Sequence, residues 1–261
     1  MKTTFNTIIA AAAAIVCYSC QNNGEPSIAA SLQTDSIGCE LKDSINTIHI
    51  AGDFAPVFTI AEWMNEMLGG DYAGDCLDGQ KMFQFYVNKT KELFDAERAS
   101  WGEDAPQDLI NTEYIQERDF AKDCETDKYI TYTLTTDYYL GGAHGSYEVS
   151  GQTFRKQDGR RIGWEILNND KAEDIQQLLK DGLKEYFEVS DEEAFQSCFL
   201  NEADYYYVPL PKCPPLFTQE GILVQYQQYE IAAYALGLPG FTIPYDRIRP
   251  CLNITGQRLI E

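Results

Sequence analysis

Two histidines, His49 and His144, are the only imidazoles among 261 residues, so no multi-histidine metal site can form and neutral-pH acid–base chemistry has few carriers. The chain lacks HExxH, GxSxG, GxxxxGK[ST] and GxGxxG, the spacings that build zinc, serine-nucleophile, phosphate and dinucleotide sites. Asp71, Asp75 and Asp78 with Gly79 loosely resemble a calcium loop. They lack its alternate spacing and closing glutamate, and read as an acidic turn. With 41 acidic residues, a neighbouring carboxylate pair says almost nothing about glycoside hydrolysis. No catalytic residue, metal ligand or cofactor is expected.

Two segments remain that could present a ligand site. In Gly141-Gly142-Ala143-His144-Gly145, three glycines permit positive φ and close backbone approach around one histidine. That pattern either displays His144, with Asp137 as a nearby acid for hydrolysis, or makes a tight strand connection. The second segment carries Tyr229, Tyr234 and Tyr245, spread from Tyr229-Glu230-Ile231-Ala232-Ala233-Tyr234 to Phe241-Thr242-Ile243-Pro244-Tyr245. Tyrosine brings contact area and a polar tip at low entropic cost, so these rings line a groove or fill a core. The tentative ligand-binding set is Gly141, Gly142, His144, Tyr229, Tyr234 and Tyr245.

The N-terminus addresses the chain. Lys2 precedes the apolar run Ile8 to Val16, too short for a membrane span of roughly 20 residues but the length of a signal h-region. Cys17-Tyr18-Ser19-Cys20 resembles a lipobox, which predicts a signal peptide over 1–19, lipidation of Cys20 and a polar tether over 20–38. The alternative is an ordinary secretory signal; either places the protein outside the cytoplasm. The expected location is the cell envelope, with the lipid in the outer or the cytoplasmic membrane.

Twenty basic side chains face 41 acidic ones, and loss of Lys2 with the signal leaves 19 against 41, a net −22. Such a field repels nucleic acid, keeps the body soluble and steers basic partners in. Six further cysteines, Cys39, Cys76, Cys124, Cys198, Cys213 and Cys251, form no CxxC pair. Their even number in an exported chain predicts disulfides, with Cys198–Cys213 as a local candidate.

Periodicity predicts the elements that must position these residues. A period-two strand runs over Ile45 to Ile50 and a short helix through Trp63, Met64, Met67 and Leu68 to Gly69-Gly70. Asp78 opens a longer helix with Met82, Phe83, Tyr86, Leu93 and Phe94 on one face. Strands are expected over 113–124, 128–139 and 146–155, with an Asp158-Gly159 turn after the third. Asn169 or Asp170 opens a helix striped by Ile175, Leu178, Leu179, Leu183, Tyr186 and Phe187, and Ser190 caps another. Further strands are expected over 205–210, 222–226 and 241–243. The class is α+β: antiparallel meanders with helices packed on one side, as two intertwined subdomains over 39–127 and 128–261.

The run Leu140-Gly141-Gly142-Ala143-His144-Gly145, then Trp164-Glu165-Ile166-Leu167, then Tyr229 to Gly237 and Phe241 to Tyr245, resembles the RsiV-like and PdaC-like extracytoplasmic module of exported bacterial lipoproteins. The likeness is good over about 128–250 and weaker before it, and Ala233 stands where the family usually has proline. The resemblance implies an envelope binding or sensing module whose ligand is a cell-wall-active protein, such as a basic muramidase (lysozyme), or a peptidoglycan-type glycan. It carries over neither sigma-factor control nor deacetylation, which belong to segments outside the module. A hydrolytic enzyme using His144 and a structural subunit of an envelope complex are the alternatives.

Overall fold

The computed structural model describes residues 28, 32–102, 106 and 110–261; the expected signal peptide, Cys20 and most of the tether lie outside the described residues. The strands do not simply follow one another as hairpins. Strands β1 (Asp35–Lys42), β2 (Asn46–Phe54), β3 (Tyr114–Glu125), β4 (Tyr129–Tyr139), β5 (Ser146–Arg155) and β6 (Arg161–Ile162) form one sheet in chain order. Every neighbouring pair is antiparallel except β2–β3, which is parallel. A parallel pair needs a crossover, and helices α1 (Phe58–Leu68) and α2 (Gly79–Ser100) supply it. The class is α+β, as expected.

The expected tether ends inside this sheet, because residues 35–38 begin β1, and Ile28 and Leu32 are buried in the core before it. Leu32 N–H donates to Glu125 Oε1 at 2.9 Å, and Lys156 reaches the same oxygen at 2.6 Å. Burial would raise the Glu125 carboxyl, but Lys156, the Leu32 amide and Lys122 outweigh it and hold it below the ordinary carboxylate range. A depressed folded-state pKa stabilises above the unfolded value of about 4.3 and is lost as pH falls through the folded one. Urea midpoints of the protein and Glu125→Gln should therefore differ at pH 7 and converge as the pH is lowered below about 4. A gap that persists undiminished at low pH would contradict this linkage.

Alternate residues of β4 divide the molecule into two cores. Ile130, Tyr132 and Leu134 face α1 and α2, where Trp63 packs on Phe120, Phe154 and Tyr132 at centroid distances of 5.7, 5.9 and 6.4 Å. Tyr129 and Thr131 face a smaller antiparallel sheet of β7 (Leu216–Phe217), β8 (Gly221–Gln225) and β9 (Gly240–Pro244). Helix α3 (Ala172–Tyr186) closes that second core, and Gly182 is small because Phe241 of β9 lies where a side chain would go. The large sheet thus belongs to both cores.

Local signals held where capping chemistry was explicit. Asp78 caps α2, its carboxylate accepting from Lys81 N at 3.2 Å, and Gly69 and Gly70 terminate α1 with positive φ. On α2, Val87 and Thr90 are buried and Leu93 is exposed, since Leu93 lies about 100° around the helix from buried Phe94. Asp191, not Ser190, caps α4 (Glu192–Ser197), its carboxylate accepting from Ala194 N at 2.8 Å. Residues 205–210 are not a strand. Asn201 caps α5 (Glu202–Tyr206), whose first turn carries Glu202 and Asp204, a placement that favours helix over the aromatic strand signal. Helices α6 (Tyr245–Ile248) and α7 (Ile254–Ile260) complete the chain.

The expected disulfides are absent: all six cysteines beyond the N-terminus are thiols, including Cys198 and Cys213. Three of them have polar neighbours in place of a second sulfur. Cys39 takes a hydrogen bond from Gln80 Nε2 at 3.0 Å, Cys198 donates to Ala194 O at 3.3 Å, and Cys124 lies 3.9 Å from the Tyr129 hydroxyl. Burial pushes the Cys213 thiol up to about 12, so it packs as a small apolar group.

Candidate functional site

The β4–β5 connection and a long excursion from the small sheet meet at one surface. Gly141 and Gly142 adopt φ of 86° and 93°, values that glycine tolerates, and the Gly142 carbonyl accepts from Tyr139 Oη at 3.1 Å. The turn carries His144 outward into solvent, where its Nδ1 lies 2.9 Å from Gly145 O. The excursion occupies 226–239. Its neck is closed by paired Gln225 and Gly240 and by Tyr226 N donating to Pro239 O at 2.8 Å.

Buried and polar anchors fix the excursion's shape. Ile231 and Ala232 are buried, Ala232 bridges to Phe199, and Leu200 N donates to Ile231 O at 2.9 Å. Glu230 accepts from Lys212 N at 2.7 Å and from Gln227 N at 2.8 Å. Tyr186 on α3 donates to Leu236 O at 3.0 Å. Tyr229 is held at φ 61°, a left-handed conformation unusual for an aromatic residue.

Two glutamines then join excursion and sheet. The Gln227 side-chain amide accepts from Val149 N at 3.2 Å and donates to Val149 O, pairing with the open edge of β5 as a strand would. Gln228 Oε1 accepts from Ser146 Oγ at 2.9 Å, and Tyr234 Oη donates to Gly145 O at 3.1 Å. These bonds bring three rings into a row, His144 stacked on Tyr234 and Tyr229 tilted beside it. His144 lies 4.1 Å from Tyr234 at 25°, and Tyr229 lies 6.0 Å from Tyr234 at 30°. Tyr229 is 59% exposed.

The structure therefore brings together Gly141, Gly142, His144, Tyr229 and Tyr234 of the six expected residues. It places Tyr245 elsewhere, half-buried against the second core, where its hydroxyl donates to Thr218 O at 2.6 Å and lies 3.0 Å from Tyr129 Oη. Burial pushes the Tyr245 hydroxyl up to about 12. Gln227 and Gln228 escape sequence reasoning, because a glutamine that completes a strand edge looks like any polar loop residue. Asp137 forms no ion pair with His144, and among the described residues no group of three His, Cys, Asp or Glu side chains could hold a metal. The arrangement has no nucleophile on the imidazole and no carboxylate to orient it. Stacked exposed rings can instead lie against a sugar face or receive a cationic side chain.

A family model described as a protein of unknown function (DUF3298) matches residues 215–246, which span β7 to β9 and the whole excursion. No curated protein matches. Two crystal structures share the fold. A member of the DUF3298 family from Bacteroides fragilis is 20% identical with a TM-score of 0.64, over 88% of this chain and 97% of that one. A DUF3298 family protein from Pseudomonas aeruginosa is 13% identical with a TM-score of 0.57, over 86% and 95% respectively.

Proposed function

We propose that this chain is a lipid-anchored binding or sensing module of the cell envelope, held by Cys20, that captures a basic cell-wall-active protein such as a muramidase, or a glycan. The observation that carries the reading is the stack of His144, Tyr234 and Tyr229 on two loops clamped by glutamines. A pre-ordered aromatic surface loses little entropy on binding, which is what a recognition site needs. The net charge of −21 adds long-range attraction for a cationic partner. Geometry favours binding over hydrolysis, since among the described residues His144 bonds to a backbone carbonyl and stacks on a tyrosine ring, with no carboxylate paired to it.

Calorimetry of the purified protein against lysozyme and against soluble muropeptides tests the ligand class. Tyr234→Ala should weaken binding by about 2 kcal/mol, or roughly thirtyfold, with an unchanged urea midpoint. For lysozyme, the association rate should fall as salt is raised, because opposite net charges steer the encounter. Absence of heat with both ligands up to about 1 mM would remove this ligand class.

A further inference from the structure

A second cleft, of about 310 Å³, opens on the helix-facing side of the large sheet beyond the end of α1. Its floor is set by strand register. Arg118 of β3 pairs with Thr136 of β4, which pairs with Glu148 of β5, so a cation, a hydroxyl and an anion stand in one row. Two strand spacings separate the outer Cα atoms by about 10 Å. Met67 and Leu140 add apolar walls, and Gln116, whose side-chain carbonyl accepts from Thr90, lies beside Arg118.

The charges in this row are not used by the fold. Arg118 is half-buried, and its single side-chain hydrogen bond among the described residues goes to the Leu68 carbonyl at 3.3 Å. Its Nε is buried with no partner among the described residues. A buried donor of a charged group is costly to leave unpaired, so it marks a place where something else belongs. Glu148 forms no ion pair with Arg118 or with any other described residue, although it is the carboxylate whose field opposes the effect of burial on the guanidinium. Opposite charges share one cleft and stay apart.

We infer that this cleft binds a free α-amino acid with an aliphatic side chain, its carboxylate on Arg118, its ammonium on Glu148 and its side chain between Met67 and Leu140. A zwitterion carries anion and cation a few ångströms apart and fills the gap that the two side chains leave. A simple anion would leave Glu148 facing it, and a simple cation would meet Arg118. The volume is at the small end of ligand pockets, which suits one amino acid. The site is separate from the aromatic stack, and Tyr234→Ala should leave it unchanged.

Calorimetry of the purified protein with L-leucine, N-acetyl-L-leucine and L-leucinamide tests this directly. L-leucine should bind, and each blocked analogue should bind at least about tenfold more weakly, since each leaves either the half-buried Arg118 or the exposed Glu148 without its counter-charge. Glu148→Gln should erase the preference for L-leucine over N-acetyl-L-leucine, and Arg118→Gln the preference over L-leucinamide. No heat with L-leucine at about 10 mM, or equal binding of either analogue to the unmutated protein, would overturn the inference. That comparison decides the matter even if Arg118→Gln fails to fold.

Discussion

Gly52→Ala should leave no cooperatively folded protein. Gly52 lies in the middle strand of the β1–β2–β3 trio, paired with Ile37 on one side and Phe120 on the other. Its φ is 131°, and a Cβ there would come within 1.9 Å of the Phe120 carbonyl oxygen. That oxygen belongs to the backbone of the parallel pair, so no side-chain rotation relieves the clash. Opening the β2–β3 ladder would cost several kcal/mol, against a total stability of about 5–15 kcal/mol. Gly70→Ala is the control. Gly70 also has positive φ, 75°, but nothing within 4 Å of the added methyl, and the expected cost is about 1 kcal/mol. Far-UV dichroism with urea denaturation reads both. A Gly52→Ala protein with an unshifted midpoint would show that the parallel pair is not built as described.

Thr153→Val should destabilise by about 3 kcal/mol, and Thr153→Ser by about 1 kcal/mol. Thr131 and Thr153 face each other across β4 and β5 with hydroxyls 2.9 Å apart, both buried at the contact between the two sheets. Thr131 donates to Phe217 O at 2.7 Å, and Thr153 accepts from Phe217 N at 3.0 Å. Two side chains thus stand in for the missing strand neighbour of β7. Valine keeps the volume and orphans the Phe217 amide in a dry interior, whereas serine keeps the hydroxyl and loses one methyl. Equal losses for valine and serine would mean that packing, not the hydrogen bonds, holds the sheets together.

Much of the framework was legible because its signals are local. Asp78 and Gly69-Gly70 bound their helices by capping geometry, and three alternating runs became β3, β4 and β5 within one or two residues. The aromatic and glycine-rich segments stood out by composition, and they do meet. Expectation and structure part where one local preference competes with another or with distant partners. Tyr205 to Leu210 carry strand-forming side chains, but Asn201 and two acids start a helix there first. Asp35 to Gly38 looked like tether because one face of β1 is exposed and its pairing with β2 lies outside any local window. Cysteine parity pointed to disulfides, yet a thiol packs in an apolar core as readily as any small side chain.

By itself the sequence determined the α+β class, most element positions, the acidity of the body and the absence of recognised catalytic motifs. Those properties depend on residues within a turn or two of one another, or on composition alone. Tertiary structure decided the rest. It made β2 and β3 parallel, stacked His144 on Tyr234 across 90 positions of chain, and packed Tyr245 against the second core. It also aligned Arg118, Thr136 and Glu148 in one row. Register between strands sets such neighbours, and register is an energy of the whole sheet that no single segment contains.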